Sequence, residues 1–267
     1  MATRWLKLTV AYDGTDYAGW QVQPDKPTVQ GAIEAAWREI TLETVRVTAA
    51  GRTDAGVHAL GQVVAVATET QLATSDLHRG LNAVLPKDVA IVALEEAAAG
   101  FHATYDALGK TYRYQIHNGR VPAVFDRRYT WHYPQPLDAE AMHAAGQALV
   151  GTHDFSSFES AGSERPDSVR TITELSVHRG TGDSPGRARL LPSQVDVDGD
   201  RTDRVTIEVS GDGFLYNMVR AIVGTLVEVG RGAREINWPA EVLAGCDRTR
   251  AGQTAPPQGL FLVRVEY

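Results

Sequence analysis

The chain has 267 residues, 43% hydrophobic and 22% charged, enough for one or two domains that bury cores of their own. Its 26 basic and 33 acidic side chains leave a net charge of −7, which excludes a uniformly basic coat but not a local basic surface for nucleic acid. A single cysteine, Cys246, excludes a disulfide framework and any multi-cysteine zinc or iron–sulfur site. The N-terminus, Met1-Ala2-Thr3-Arg4-Trp5, has no apolar signal core, and no stretch approaches the ~18 apolar residues of a membrane helix. A soluble, cytoplasmic protein is expected. Only Lys7, Lys26, Lys87 and Lys110 are lysines; the other cations are arginines, whose planar fork suits phosphate.

Residues 6–12 alternate like a half-buried strand, and Asp13-Gly14-Thr15-Asp16 turns the chain. Thr28 can cap a helix with Val29, Ile33, Trp37 and Ile40 on one face. A polar, glycine-bearing stretch over 51–56 precedes a strand over 62–68, a short helix near 76–82 and a strand over 89–94. The pattern then restarts. A strand over 111–117 leads to a helix capped by Asp138 that carries Met142, Ala145 and Leu149. Strands over 169–178 and 204–210, an apolar helix over 218–229, a short helix over 238–244 and a strand over 260–267 complete the chain. There is no regular βαβ repeat, so the class is α+β rather than doubly wound. Two halves of similar content predict domains at 1–105 and 106–267. Residues 181–203, rich in glycine, proline, serine and aspartate, read as a mobile surface loop.

Two apparent motifs fail on context. Gly182-Asp183-Ser184-Pro185-Gly186 has the spacing of a hydrolase nucleophile turn but lies in that polar loop, without a strand before it or a helix after it. Asp196-Val197-Asp198-Gly199-Asp200 misplaces the glycine of a calcium loop, and Ile207 stands where a bidentate glutamate is needed. No phosphate loop, dinucleotide fingerprint or zinc-protease motif is present, and the eight histidines lack ligand spacing. Neither a cofactor nor a metal is expected.

Three features carry chemistry. In Ala50-Gly51-Arg52-Thr53-Asp54-Ala55-Gly56-Val57-His58-Ala59, glycines permit a tight turn, and small neighbours leave the Asp54 carboxylate open to a ligand. Read by itself, Asp54 either caps a short helix or serves catalysis. On the helix 218–229, Asn217, Arg220 and Gly224 share a stripe. Among so many apolar neighbours Arg220 either snorkels outward or pairs with an anion, Asp54 being the sharper candidate. On 111–117, Tyr112 and Tyr114 share one face and Arg113 the other. Those tyrosines either fill core or stack bases.

With these segments, the chain resembles the tRNA pseudouridine synthase A family. The likeness rests on Gly51-Arg52-Thr53-Asp54-Ala55-Gly56-Val57-His58, and on Tyr12-Asp13-Gly14 with Gly19-Trp20-Gln21. It continues through Phe101-His102-Ala103, Tyr112-Arg113-Tyr114, Gly151, Asp154-Phe155-Ser156-Ser157-Phe158, Met218-Val219-Arg220 and Gly259-Leu260-Phe261-Leu262-Val263. The resemblance implies two ferredoxin-like-type α+β domains joined in one extended, mostly antiparallel sheet with a central cleft. It implies a homodimer that isomerises uridines 38, 39 and 40 in the tRNA anticodon arm. The family's nucleophile falls on Asp54, its active-site tyrosine on Tyr112, and the basic partner of the nucleophile on Arg220. Leu260 lines the base pocket, and Arg52 enters the space left by the flipped base. His58 stays open between turn structure and substrate contact. Because the net charge opposes RNA, Arg79, Arg113, Arg127 and Arg128 are expected to gather about the cleft. Two other classes compete: a noncatalytic RNA-binding module on the same sheet, and a cofactor-free hydrolase using Asp54 with a second carboxylate.

Overall fold

A computed structural model describes residues 3–160, 167–180 and 203–267. The hydrolase-like and calcium-like motifs, and all of the 181–203 loop but Asp203, lie outside the described residues. Two compact units emerge, Met1–Lys110 with Phe261–Tyr267, and Thr111–Leu260.

The first unit is built from β1 (Arg4–Tyr12), α1 (Val29–Thr41), β2 (Thr48–Ala49), β3 (His58–Thr68), α2 (Thr74–Val84) and β4 (Val89–Glu96). Thr28 caps α1 as expected: its hydroxyl accepts from the Gly31 amide at 3.3 Å, and the stripe Val29, Ile33, Ala36 and Trp37 is buried. β1 lies between β4 and β3 and is antiparallel to both. Leu6, Leu8 and Val10 face the same side as their β3 partners Val66, Val64 and Gln62. The other side of β3 carries Val63 and Ala65, which pack with Ala50 and Ala103 beneath Phe101, Val265 and Tyr267. Covering both faces explains why β3 reads as a nearly unbroken apolar run rather than an alternation.

The second unit comprises most of β5 (Gly109–His117), then β6 (Trp131–His132), α3 (Ala139–Gly146), β7 (Gly151–Asp154), β8 (Val169–Arg179), β9 (Arg204–Gly211), α4 (Met218–Gly230) and α5 (Trp238–Gly245). Its strands run in the order β5-β9-β8-β7, with β6 alongside β5. Asp138 caps α3 through the Ala141 amide at 2.9 Å. α4 buries eleven of its thirteen residues, which accounts for its uniformly apolar sequence.

Each unit is thus α+β with mostly antiparallel pairing. The final strand, β10 (Leu260–Glu266), departs from a simple split of the sequence at 105/106. Phe261 and Leu262 pair in parallel with His58 and Ala59, so the C-terminus completes the first unit. No local periodicity encodes a partner about two hundred positions away.

Candidate active site

Asp54 sits in a turn leading into β3, with its carbonyl accepting from the Val57 amide at 3.1 Å. Of the two readings of Asp54, the short helix that it would cap does not form. β3 begins directly at His58, four residues earlier than its apolar run suggests, and Gly56 takes φ +77° to let the chain enter it. The Asp54 side chain is half-buried, while Arg52 and Ala55 are exposed.

Residues 12–20 form a mould around this turn. Gly14 passes so close to Val57 that a Cβ would sit 2.0 Å from the Val57 carbonyl oxygen. Gly19, at φ +98°, would place one 2.8 Å from the Thr53 oxygen. The Trp20 amide donates to that same oxygen at 2.9 Å. Tyr12 Oη lies 2.7 Å from Thr53 Oγ1, and Gln62 Nε2 donates to the Gly51 carbonyl at 2.7 Å. His58 is 1% exposed and stacks on Phe261 with ring centroids 4.7 Å apart. Its Nδ1 lies 3.1 Å from both the Gly14 amide and Asp13 Oδ1. The internal contacts of His58 therefore belong to the architecture of the turn.

In the second unit, Arg220 donates through Nε to the Ala255 carbonyl at 2.6 Å and through Nη1 to Asn217 Oδ1 at 2.7 Å. The latter is the i, i+3 contact expected of the stripe. Gly224, its third member, is where the segment 252–256 crosses α4: a Cβ there would meet the Gln253 oxygen at 1.7 Å. The Ala255 amide returns to the Arg220 carbonyl at 3.0 Å, and the Gly252 amide donates to Thr225 Oγ1 at 3.0 Å. This segment runs on to Leu260, which is 6% exposed.

The two tyrosines of β5 separate in role. Tyr114 is fully buried, donates to the Pro256 carbonyl at 2.7 Å and meets Trp131 edge-on, so it fills core rather than offering a face to a base. Burial holds its phenol well above the ordinary tyrosine range, against the pull of the Arg220 charge. Tyr112 meets Phe214 edge-on at 5.1 Å. Arg113, on the opposite face, pairs with Glu208 at 2.7 Å, and Arg79 with Asp76 at 2.7 Å. The Arg113 pair is largely buried, whereas the Arg79 pair lies on the surface.

Of the residues singled out in the sequence, Arg52 and Asp54 share one turn of the first unit. Tyr112, Arg220 and Leu260 belong to the second. The sequence motifs include Tyr12 and Thr53 without assigning them a role, and Gln62 is not singled out. Gln62 left a signal: it is an amide directly before the valines and alanines of 63–67. Among the described residues, no three His, Cys, Asp or Glu side chains gather as metal ligands would.

The model of a family described as tRNA pseudouridine synthase matches residues 8–106 and 145–267. A tRNA pseudouridine synthase A from Moorella thermoacetica is 46% identical over 264 residues, covering 98% of this chain and 99% of the relative. One from Brevibacillus brevis is 46% identical over 262 residues with the same coverage, and one from Acetivibrio thermocellus 43% over 263. Among solved structures, a chain of a Cbf5-Nop10-Gar1 complex aligns with 96% of this chain and 57% of its own length. At 13% identity and a TM-score of 0.34, that likeness is too weak to bear on the fold. Matches of this identity along almost the whole length place the chain in the tRNA pseudouridine synthase family.

Proposed function

We infer that the chain converts uridine to pseudouridine in the anticodon arm of tRNA, at positions 38, 39 and 40, with Asp54 as nucleophile. The observation that carries this reading is the turn itself. The segment Gly51–His58 is held in a mould of close backbone crossings, with a half-buried carboxylate at its centre. Its relatives bear the name tRNA pseudouridine synthase A over nearly their full length.

The Asp54 carboxylate adds covalently at ribose C1′ or at uracil C6. The N1–C1′ bond breaks, the uracil turns and C5 bonds to C1′; the carboxylate leaves C1′ as that bond forms, or is eliminated from C6 afterwards, so Asp54 is regenerated. The C5 hydrogen leaves as a proton, and N1 takes one up. Atoms and electrons balance within the nucleotide and water, so the isomerisation calls for no oxidant or group donor. In this reading Tyr112 stacks on the uracil, and its oxygen, directly or through water, helps to remove the C5 proton. Arg220 keeps Asp54 ionised. Leu260 lines the base pocket. Arg52 takes the place of the extruded base and offsets part of an unstacking cost of a few kcal/mol. The working form is a cytoplasmic homodimer, which places two such sites on one particle.

The test is tritium release from tRNA labelled at uracil C5, with no metal or nucleotide added. Wild type should release tritium to water and a folded Asp54→Ala variant none. A wild type that binds tRNA tightly without releasing tritium would establish the noncatalytic binding module instead.

A further inference from the structure

Beneath the turn, three polar side chains meet that the reaction above does not use. Tyr12 Oη lies 2.7 Å from Thr53 Oγ1. Gln62 Nε2 lies 3.4 Å from Tyr12 Oη and 2.7 Å from the Gly51 carbonyl. Tyr12 is 4% exposed, Thr53 7% and Gln62 0%, so their hydroxyls and amide N–H groups look to protein partners, while Gln62 Oε1 is buried without one.

The Gln62 amide is the donor at one end of this chain. The Gln62 amide has two hydrogens and spends them on the Gly51 oxygen and the Tyr12 oxygen. The Tyr12 hydroxyl hydrogen remains, and Tyr12 Oη shares with Thr53 Oγ1 a hydrogen bond that either hydroxyl can donate. Burial pushes the Tyr12 phenol up to about 12, so that hydrogen stays in place at neutral pH. The chain of contacts links Gln62, Tyr12 and Thr53 in that order. Its two ends fall on Gly51 and Thr53, the residues that bracket Arg52 and lead directly into Asp54. The Trp20 amide holds the Thr53 carbonyl from another side. Thr53 is thus fixed through its backbone and its side chain together, one position before the half-buried Asp54.

We propose that Tyr12 is a positioning residue: acting through Thr53 and backed by Gln62, it holds the backbone from Gly51 to Asp54 in the orientation that delivers the carboxylate to substrate. A misplacement of about 1 Å at a reacting group can cost ~100-fold in rate, so a single buried hydroxyl has leverage here that it would lack elsewhere in the core. The inference rests on Asp54 being the nucleophile, and the controls separate the two.

The experiment measures single-turnover tritium release, tRNA affinity and thermal midpoint for wild type, Asp54→Ala, Tyr12→Phe, Thr53→Val, Thr53→Ser and the Tyr12→Phe/Thr53→Val double variant. Tyr12→Phe and Thr53→Val should each slow release about 10- to 100-fold while tRNA Kd stays within about two-fold. The double variant should be no slower than the slower single one by more than about two-fold, because both remove the same link. Thr53→Ser keeps the hydroxyl and should stay within about three-fold of wild type, testing the link without touching the ring. Wild-type rates in both single variants, a loss confined to Kd, multiplicative effects in the double, or a Thr53→Ser variant as slow as Thr53→Val would each overturn the proposal. Absence of release from wild type would overturn the proposed reaction instead.

Discussion

Gly224 lies in the middle of α4, where helix propensity alone argues that alanine is better by about 1 kcal/mol. The structure predicts the opposite sign. A Cβ at this position would stand 1.7 Å from the Gln253 carbonyl oxygen and 2.9 Å from its carbon, so backbone faces backbone and no rotamer relieves the clash. Reaching an ordinary separation of ~3.5 Å requires the segment 252–256 to retreat by about 1.8 Å. Four hydrogen bonds tie that segment down: Arg220 Nε to Ala255 O, Ala255 N to Arg220 O, Gly252 N to Thr225 Oγ1, and Tyr114 Oη to Pro256 O. At about 1 kcal/mol each, their loss outweighs the propensity gain and leaves Gly224→Ala destabilised by about 2–3 kcal/mol. For a unit of this size that is a fall in thermal midpoint of about 5–10 °C. The variant should also lose tritium release, since the same segment holds the Arg220 guanidinium and leads to Leu260. Thermal unfolding followed by tryptophan fluorescence reads both units, the second through Trp131 and Trp238 and the first through Trp5, Trp20 and Trp37. A midpoint equal to or above that of wild type would refute the close crossing and with it the account of how Arg220 is held.

Gly14→Ala drives a Cβ to 2.0 Å from the Val57 oxygen, and the turn after Asp54 must yield; tritium release should drop ~100-fold or more, and a fully active variant would contradict the mould. Thr28→Ala removes the cap on α1 and should cost about 1 kcal/mol in a urea titration while release is unchanged. Alkaline pH should destabilise the fold through Tyr12. Its phenol is raised to about 12 in the folded chain against ~10 unfolded, so above pH 10 the unfolded state has given up a proton that the native state retains. Stability then falls by about 1.4 kcal/mol per pH unit up to pH 12 from this group, and buried Tyr114 adds to the fall with the same sign. Urea midpoints taken between pH 9 and 11.5 should show the decline, and Tyr12→Phe should make it shallower.

How far the sequence reads as structure depends on the distance over which each cause acts. α1 is legible because Thr28, its cap, and Val29, Ile33 and Trp37, its buried stripe, lie within ten residues of one another. α3 and α4 are legible for the same reason. The Asn217–Arg220 contact could be read as spacing on one helix face. The β10 pairing was not legible, because Phe261 finds His58 across the whole chain. Nor was the choice between core and base-stacking for Tyr114, which Pro256 and Trp131 decide from remote positions. Asp54 suited a helix cap by residue type alone; what forbids the helix is the immediate start of β3, whose first residue is held by Gly14 and Phe261.

The same distinction bears on what a motif means. Gly51-Arg52-Thr53-Asp54 looks like a self-sufficient catalytic string, yet little in it shapes itself. Thr53 is held by Tyr12 and Trp20, Gly51 by Gln62, and Val57 has room because Gly14 and not alanine passes it. Tyr12-Asp13-Gly14 and Gly19-Trp20 contribute through contact with the turn, as the surface against which the Asp54 segment is cast. A chain that carried the Asp54 segment with a bulkier residue at 14 would match the string and misplace the carboxylate. The Asp54 carboxylate and its mould form one structural unit, and a reading of this fold that transfers the first has to find the second.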